Sequence, residues 1–389
     1  MQLFFSVGEP SGDQHAAHLM QELRRQRPDA TFSGYGGPLM ERAGCRLDYR
    51  LTDLAVMGFA RVLPLLRQFY GLVKQAEVTF RSDPPDAVVL VDFPGFNWWI
   101  ARKAKAAGIP VFYYLPPQLW AWAPWRIRRM RKFVDHVLCS LPFETDWYAA
   151  RGMTNVEYVG HPFFDEVADH PLDAGFCRAW RSSNGKRTVG VLPGSRNSEI
   201  DTLWPLMLRI MQRVHDEHPA ARFLVACYKP EHREKCKTML RAAKVDLPLH
   251  LFTGKTPEII ESADCCLMAS GSVSLEMLAR ATPAVVFYHL SPLLYPIVRP
   301  LVRLDSMTLP NLISGRRLLP EYLVSYRPGR DVAVMADVLT NWLNDEKHLA
   351  GARADLAELR DEIVRTGATR RAAASILNRL PAPARRAAA

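Results

Sequence analysis

The sequence predicts an α/β protein with two doubly wound, Rossmann-like domains in tandem. Three observations lead to this fold class. Short apolar runs that suit buried strands alternate with segments of helical periodicity, which is the pattern of βαβ units around a parallel sheet. Each half of the chain opens with a strand, a glycine-containing loop and a helix. The length of 389 residues exceeds what one hydrophobic core usually organises, so two domains are expected.

In the first half, the predicted strands are short runs of mostly apolar residues, which cover 3–7, 31–34, 87–91, 111–115 and 137–141. Apolar residues that recur every three or four positions predict helices over 13–25, 98–107 and 126–133. The segment 54–75 is apolar nearly all round. This predicts burial, and its stretch 57–73 would also suit an exposed surface for acyl chains.

The second half repeats the pattern. Its predicted strands cover 188–192, 222–226, 250–252, 265–268 and 284–288, and its predicted helices cover 202–217, 256–261 and 274–280. Glycine, proline and aspartate interrupt the periodicity at 160–174, so we expect domains at 1–165 and 170–345. Helices over about 345–378 are expected to pack back on the first domain. The tail 380–389, with its proline and Ala-Arg repeats, is expected to be disordered.

Composition narrows the functional classes. A hydrophobic fraction of 48% and a charged fraction of 23% are typical of a folded, soluble protein. The seven cysteines are scattered and form neither a CxxC pair nor a zinc-like cluster, which favours reduced thiols in the cytoplasm. No run approaches the roughly 20 apolar residues of a membrane span, and the N-terminus does not resemble a secretory signal. The net charge of +10 favours an anionic partner: nucleic acid, an acidic membrane surface or a phosphorylated substrate.

Two glycine-containing loops in the second half suggest a cradle for a diphosphate. Gly194, Ser195 and Arg196 lie between an apolar strand and a helix start, and Gly271 and Ser272 open a second helix. Unpaired N–H groups at a helix N-terminus carry partial positive charge, small residues let a phosphate come close, and a guanidinium matches two phosphate oxygens. The alternative for both loops is an ordinary scaffold junction with serine caps.

Glu276 lies one turn into the second of these helices. It could hold a ribose diol there, or it could be a solvated first-turn acid that the helix dipole favours. Together with the two loops, it predicts a sugar-nucleotide site.

In the first half, Asp92 follows the apolar run 88–91. An acid at the carboxyl end of a buried strand is partly desolvated, which raises its pKa and makes it a usable general base; the alternative is a helix cap. We expect Asp92 to lie over the crevice at the carboxyl ends of the strands, and the loop 8–13 to face that crevice. The candidate residues of this loop are Glu9, Ser11, Gly12 and Asp13. Ser11 or Asp13 could equally cap the helix that follows.

An aromatic and basic stretch spans 120–132. It contains three tryptophans, and five of its last seven residues are Arg or Lys. Such a stretch suits an anionic bilayer with tryptophans at the interface, a solvated helix face with a buried apolar edge, or nucleic acid. We favour the bilayer, because the basic residues elsewhere in the chain are spread out, which counts against nucleic acid.

Taken together, nine segments in order resemble the lipid-A-disaccharide synthase family. They are VGEPSGD (7–13), GYGGPLMERAG (34–44), LAVMGFARVL (54–63), VDFPGFN (91–97), PPQLWAWAPWR (116–126), VGHPFFDE (159–166), LPGSRNSEI (192–200), ASGSVSLE (269–276) and LPNLISGR (309–316). The resemblance implies the GT-B fold, in which two Rossmann-like domains face a cleft. It implies an inverting glycosyltransferase, without metal or cofactor, that joins UDP-2,3-diacylglucosamine to 2,3-diacylglucosamine 1-phosphate (lipid X) and releases UDP. It also implies a peripheral protein on the cytoplasmic face of the inner membrane, and a homodimer that exchanges C-terminal segments.

Position by position, the resemblance assigns Asp92 as the base that takes the proton of the acceptor's primary hydroxyl. It assigns Arg196 to the charge on the departing UDP and Glu276 to the ribose, and it places Asn311 in a loop that closes toward the donor. The loop 8–13 falls on the acceptor side. Two alternatives stay open: a GT-B enzyme on a soluble UDP-sugar, such as an epimerase or an N-acetylglucosaminyl transferase, and a nucleic-acid-binding protein.

Overall fold

The computed structural model describes residues 1–55, 62–121, 123–181, 185–289, 306–324 and 328–380. The chain divides into two compact units, one formed by Met1–Glu166 with the chain from Arg365 onward, and the other by Val167–Val364. Each unit carries one parallel sheet with helices, which confirms the predicted class of two doubly wound α/β domains.

The described part of the first unit is built on a seven-stranded parallel sheet with the order β3-β2-β1-β4-β5-β6-β7. The strands are β1 (Gln2–Val7), β2 (Thr31–Tyr35), β3 (Cys45–Tyr49), β4 (Ala87–Val91), β5 (Val111–Tyr114), β6 (His136–Cys139) and β7 (Val156–Tyr158). The helices are α1 (Pro10–Gln26), α2 (Pro38–Arg42), α3 (Thr52–Ala55), α4 (Val62–Ser82), α5 (Pro94–Ala106), α6 (Ile127–Phe133) and α7 (Glu144–Ala149), with a 3₁₀ turn at Pro124–Arg126. Helix α8 (Pro162–Asp169) begins in the first unit and ends in the second, because the division falls after Glu166. Val7 pairs with Val91, so β1 and β4 end side by side at the centre of the sheet.

Alternation along the strands builds a core on each face of this sheet. Leu3, Phe5 and Val7 of β1 point to the face where α1 packs, and Phe4 points to the face where α4 and α5 pack. All four side chains are fully buried. The carboxyl ends of β1 and β4 are therefore fixed from both faces.

The described part of the second unit is built on a six-stranded parallel sheet with the order β10-β9-β8-β11-β12-β13. The strands are β8 (Arg187–Leu192), β9 (Ala221–Cys227), β10 (Leu249–Thr253), β11 (Cys265–Ala269), β12 (Ala284–His289) and β13 (Glu321–Val324). The helices are α9 (Ala174–Trp180), α10 (Asn197–Glu217), α11 (Pro230–Ala243), α12 (Thr256–Ser262), α13 (Ser274–Ala279), α14 (Leu309–Ser314), α15 (Pro328–Asn344) and α16 (Glu346–Ile363). Because β8 and β11 are parallel neighbours, the loops that follow them lie side by side at the edge formed by the carboxyl ends of the strands.

The chain returns to the first unit through α17 (Ala368–Arg379), whose apolar face enters the core beside α1. The Asp165 carboxylate accepts backbone hydrogen bonds from Gly367 at 2.6 Å and Thr369 at 2.9 Å, which caps the first turn of this helix. Within the predicted returning segment 345–378, α17 belongs to the first unit and α16 belongs to the second.

Of the described strands, three were not predicted, and all three lie at sheet edges: β3, β7 and β13. An edge strand has a neighbour on one side only and lacks the continuous apolar run that marks a central strand. The helix α11 was not predicted either, because few of its residues are buried. Residues 56–61 of the apolar segment and the tail from 381 lie outside the described residues.

The cysteines and the helices give two further observations. All seven cysteines are buried, and none of them is in a disulfide. Within the described ranges, no helix combines the length and the apolar character that crossing a membrane requires.

Candidate active site

Asp92 lies in a strained elbow between β4 and α5. Asp92 has a φ of 45° and Phe93 a φ of 44°, so two consecutive residues other than glycine adopt the left-handed conformation. Such strain persists only where the surroundings impose it. Here Asn97 Nδ2 donates to the Asp92 carbonyl oxygen at 2.8 Å, and the Tyr113 hydroxyl donates to the same oxygen at 2.7 Å.

Asn97 connects the ends of the two central strands. Its Nδ2 also contacts the carbonyl oxygens of Val91 at 3.2 Å and Ser6 at 3.1 Å, and its Oδ1 accepts from the Ser6 hydroxyl at 2.6 Å. The side chain is fully buried. Asn97 is therefore a positioning residue for the Asp92 elbow, which the sequence pattern alone did not indicate.

The first turn of α1 lies against the Asp92 carboxylate. A Cβ added at Gly12 would lie 3.8 Å from Asp92 Oδ2, and one added at Gly8 would lie 2.2 Å from the Phe93 ring. The loss of hydration in this place raises the pKa of Asp92 to about 6; an electrostatic interaction with His15 opposes the rise and one with Glu9 adds to it. At neutral pH the carboxyl is mostly ionised, yet basic enough to take a proton.

The structure distributes the other predicted residues of the loop 8–13 differently. Ser11 is exposed in the first turn of α1, and Glu9 lies just before that helix, where its carbonyl oxygen accepts from the Asp13 N–H. The Asp13 carboxylate is buried and accepts three backbone hydrogen bonds at the start of α2, from Gly37, Leu39 and Met40. Asp13 thus caps a helix, but not the helix on which it lies.

A histidine cluster that the sequence pattern did not indicate lies near Asp92 in the first unit. His15 Nδ1 lies 2.9 Å and His18 Nδ1 3.4 Å from Glu166 Oε1. Burial opposes ionisation of Glu166, but these two histidines outweigh burial and hold the pKa of Glu166 to about 2. Burial lowers the pKa of the neighbouring His161 to about 3, so its ring is neutral at pH 7. One feature of the sequence could have indicated this cluster. His15 follows Gly12 by three residues, which places both residues on one face of α1.

In the second unit, the loop 194–196 joins β8 to α10. Gly194 has a φ of 111°, a conformation that favours glycine. Ser195 and Arg196 are exposed, and Arg196 Nη1 lies 2.9 Å from Glu199 Oε1. These residues lie at the start of α10, as their sequence predicts.

The second predicted loop follows the neighbouring strand. Gly271 and Ser272 are exposed between β11 and α13, at the same sheet edge as the loop 194–196. Glu276 is buried, and its Oε1 lies 3.1 Å from Arg280 Nε. Burial raises the pKa of Glu276, against the pull of Arg280. The structure therefore brings the predicted donor-side loops together at one edge of the second sheet.

Asn311 is engaged within the chain. Its Nδ2 donates to the Leu319 carbonyl oxygen at 2.7 Å and to Glu321 Oε1 at 2.6 Å, and its Oδ1 accepts from the Leu319 N–H at 2.8 Å. The side chain is buried and ties α14 to the start of β13. This geometry makes Asn311 a support of its loop.

Several large apolar side chains are exposed on neighbouring helices of the first unit. Leu66 and Tyr70 of α4 are 53% and 64% exposed, Trp99 of α5 is 54% exposed, and Trp125 of the 3₁₀ turn is 70% exposed. We term these four residues the apolar surface. Exposed cations on α4, α5 and α6 include Arg67, Arg102, Arg128, Arg129, Arg131 and Lys132.

The rest of the 120–132 stretch is anchored to the unit. Trp120 Nε1 donates to the buried Glu144 at 3.1 Å, and burial raises the pKa of Glu144 to about 7. Met130 is buried, so α6 has the apolar inner edge that a solvated basic helix requires. Trp122 lies outside the described residues.

Neither unit shows a metal centre in its described residues, where no group of three or more His, Cys, Asp or Glu side chains could hold an ion. Asp92 belongs to the first unit, and Arg196 and Glu276 belong to the second. That the two sites face each other across a cleft stays a prediction.

The family model for lipid-A-disaccharide synthetase matches residues 3–373. The lipid-A-disaccharide synthase of Alkalilimnicola ehrlichii is 37% identical over 383 residues, which cover 97% of this chain and 98% of that protein. The enzyme of the same name from Myxococcus xanthus is 36% identical over 378 residues, which cover 96% of each chain.

Solved structures share the fold at low sequence identity. UDP-GlcNAc 2-epimerase from Neisseria meningitidis, bound to UDP-GlcNAc, superposes with a TM-score of 0.65 at 11% identity and covers 97% of this chain and 100% of its own. The glycosyltransferase of kitacinnamycin superposes with a TM-score of 0.62 at 16% identity and covers 98% of this chain and 99% of its own. At such identities the likeness concerns the fold alone.

Proposed function

The chain belongs to the lipid-A-disaccharide synthetase family, and from that premise we propose how its residues transfer a sugar. The reaction joins UDP-2,3-diacylglucosamine to 2,3-diacylglucosamine 1-phosphate and gives lipid A disaccharide 1-phosphate and UDP, with inversion at the anomeric carbon. The observation that carries the proposal is Asp92: a carboxylate with a pKa of about 6, held in a strained elbow at the carboxyl end of a central strand.

Asp92 is the general base of this proposal. It takes the proton of the acceptor's primary hydroxyl while that oxygen bonds to the anomeric carbon of the donor. The bond between that carbon and the UDP oxygen breaks at the same time, and its electron pair leaves with UDP. A single displacement of this kind inverts the anomeric centre and needs one base, a role that a carboxylate near its pKa performs well at neutral pH.

The donor side is formed by the two loops at one edge of the second sheet. Backbone N–H groups at the helix starts near Gly194 and Gly271 carry partial positive charge and attract anions. The Arg196 guanidinium stabilises the negative charge that grows on the departing diphosphate. Glu276 is the proposed ribose contact, with Arg280 holding its carboxylate in place at 3.1 Å. Asn311 supports the loop near the donor through its bonds to Leu319.

The activity is tested by incubating the purified chain with UDP-2,3-diacylglucosamine and the 1-phosphate acceptor, with UDP release and a disaccharide product as the readouts. We expect turnover of the acylated pair and none of unacylated UDP-GlcNAc. Turnover of UDP-GlcNAc alone, with epimerised or transferred product, would show the soluble-sugar alternative and contradict the proposal.

We further propose that the protein binds the cytoplasmic face of the inner membrane peripherally, through the apolar surface and the exposed cations of α4, α5 and α6. Tryptophan and tyrosine side chains favour the headgroup region, and each nearby Arg or Lys adds about 1 kcal/mol of attraction to anionic lipid. The net charge of +10 supports the same partner. Nucleic acid is not a proposed partner.

The double variant Trp99→Ala/Trp125→Ala is expected to reduce binding to vesicles that contain anionic lipid by roughly tenfold, because two exposed indole rings no longer enter the interface. Co-sedimentation with anionic and with zwitterionic vesicles measures this. Tyr228→Ala is the matched control, because Tyr228 is 62% exposed on the second unit. Equal binding by the double variant and the control variant would contradict the proposed surface.

A homodimer that exchanges C-terminal segments is a further proposal. In the single chain, α17 packs beside α1 and is capped by Asp165, so an exchanged α17 would make these same contacts with a second copy. The stretch Val364–Gly367 between α16 and α17 is the place where the chain would cross.

A further inference from the structure

The loop 194–196 already holds an anion, and the anion comes from the chain itself. Glu199 Oε2 accepts hydrogen bonds from the backbone N–H groups of Ser195 at 2.8 Å and Arg196 at 3.1 Å. Glu199 Oε1 accepts from Arg196 Nη1 at 2.9 Å. A Cβ added at Gly194 would lie 2.4 Å from Glu199 Oε2, so the loop closes tightly around the carboxylate.

This arrangement is half of a capping box. The residue three positions into α10 reaches back to the backbone N–H of the N-cap residue, as the box requires. The other half is missing, because the N-cap residue is Arg196 and a guanidinium has no acceptor. The half that remains uses two backbone donors and one charged donor, which is the set that a phosphate group would use.

The charges of the loop cancel in this state. Arg196 is 75% exposed and Glu199 22% exposed at the side chain, and each is the other's partner. A diphosphate that approaches Arg196 therefore meets a carboxylate of its own sign at close range, which repels it. Binding of a phosphate to the same three donors requires that Glu199 leave them.

We propose that Glu199 is a placeholder for the donor's diphosphate. While the site is empty, its carboxylate holds the loop and the Arg196 side chain in their present conformation. The carboxylate leaves the three hydrogen-bond donors when the UDP-sugar binds, and it binds them again as UDP leaves. It thereby weakens the affinity for UDP and eases product release. The inference rests on the proposed function, because it takes Arg196 to be a diphosphate contact.

Glu199→Gln tests the placeholder, because it keeps an acceptor oxygen and the length of the side chain while removing the charge. We expect UDP to bind about two- to fivefold more tightly to the variant, the scale of one charge at an exposed helix N-terminus. Calorimetry on the full chain measures this, with uridine as the probe that carries no phosphate and shows no gain. Asp201→Asn is the matched control, because Asp201 lies on the same helix and pairs with Lys235 at 2.6 Å rather than with the loop.

Unchanged or weaker UDP binding by E199Q would overturn the inference, since the carboxylate would then support the site rather than compete for it. The same gain in D201N would also overturn it, because it would show a general charge effect. Wild-type protein that binds no UDP would instead overturn the proposed function itself. Thermal unfolding of each variant shows that the comparison is made between folded proteins.

Discussion

Asp92→Asn is expected to lower kcat by about 10²- to 10⁴-fold, the usual contribution of a positioned general base. The amide has nearly the shape of the carboxylate but accepts no proton, so the acceptor hydroxyl must attack without help. The affinity for UDP is expected to stay unchanged, because the proposed donor contacts are on other residues. UDP release under saturating substrates measures the first effect, and calorimetry with UDP measures the second.

The variant is expected to fold at least as stably as the wild type. Burial raises the pKa of Asp92 in the folded state to about 6, so the folded state binds this proton more tightly than the unfolded state does. At low pH, where Asp92 is protonated, the group favours the folded state. This contribution is lost as the pH rises through about 6, and the ionised carboxylate destabilises the folded state at neutral pH. Asparagine removes that cost and also tolerates the φ of 45°. A Tm that does not fall separates lost chemistry from lost structure.

The pH profile supplies the control. In the wild type, kcat/KM should decline below about pH 6, because a protonated Asp92 cannot accept the hydroxyl proton. This acid limb should be absent from the residual activity of D92N. A near-normal rate with the limb retained would contradict the assignment and move the base role to Glu9, since the Asp13 carboxylate is occupied by the N–H groups of α2.

The sequence was most informative where the fold is locally determined. Central strands such as β4 and β11 are continuous apolar runs, and the predicted range 87–91 equals the observed strand. Edge strands such as β3 and β13 have mixed sequences, because their residues meet partners on one side only. Pattern alone could not separate them from loops.

The site residues show the same limit. The place of Asp92 was predictable, because it directly follows the apolar run 88–91, and its role as the base stays a prediction. Its elbow was not, because the bonds that impose the strain come from Asn97 and Tyr113 and exist only in the folded chain. The same holds for Asp13 and Asn311, whose polar atoms are occupied by backbone groups that lie 24 and 8 residues away in sequence.

Arg196→Ala is expected to reduce kcat/KM by roughly 10²-fold, and by up to about 10³-fold, the range seen when one preorganised donor to a developing charge is removed. The guanidinium is the proposed partner of the charge that grows on UDP as the glycosidic bond breaks, so kcat should fall more than the affinity for UDP. Arg196→Lys should recover only part of the loss, because an ammonium keeps the charge but not the planar fork that matches two phosphate oxygens.

The loop should keep its shape in this variant, which makes the result interpretable. Glu199 is still bonded to the backbone N–H groups of residues 195 and 196, and neither bond depends on the guanidinium. A large loss therefore reports the missing charge rather than a collapsed loop. Arg213→Ala, an exposed arginine further along α10, is the matched control and should leave the rate unchanged. If R196A and R213A turn over alike, Arg196 does not contact the leaving group, and the backbone N–H groups of the two loops must stabilise the departing UDP without it.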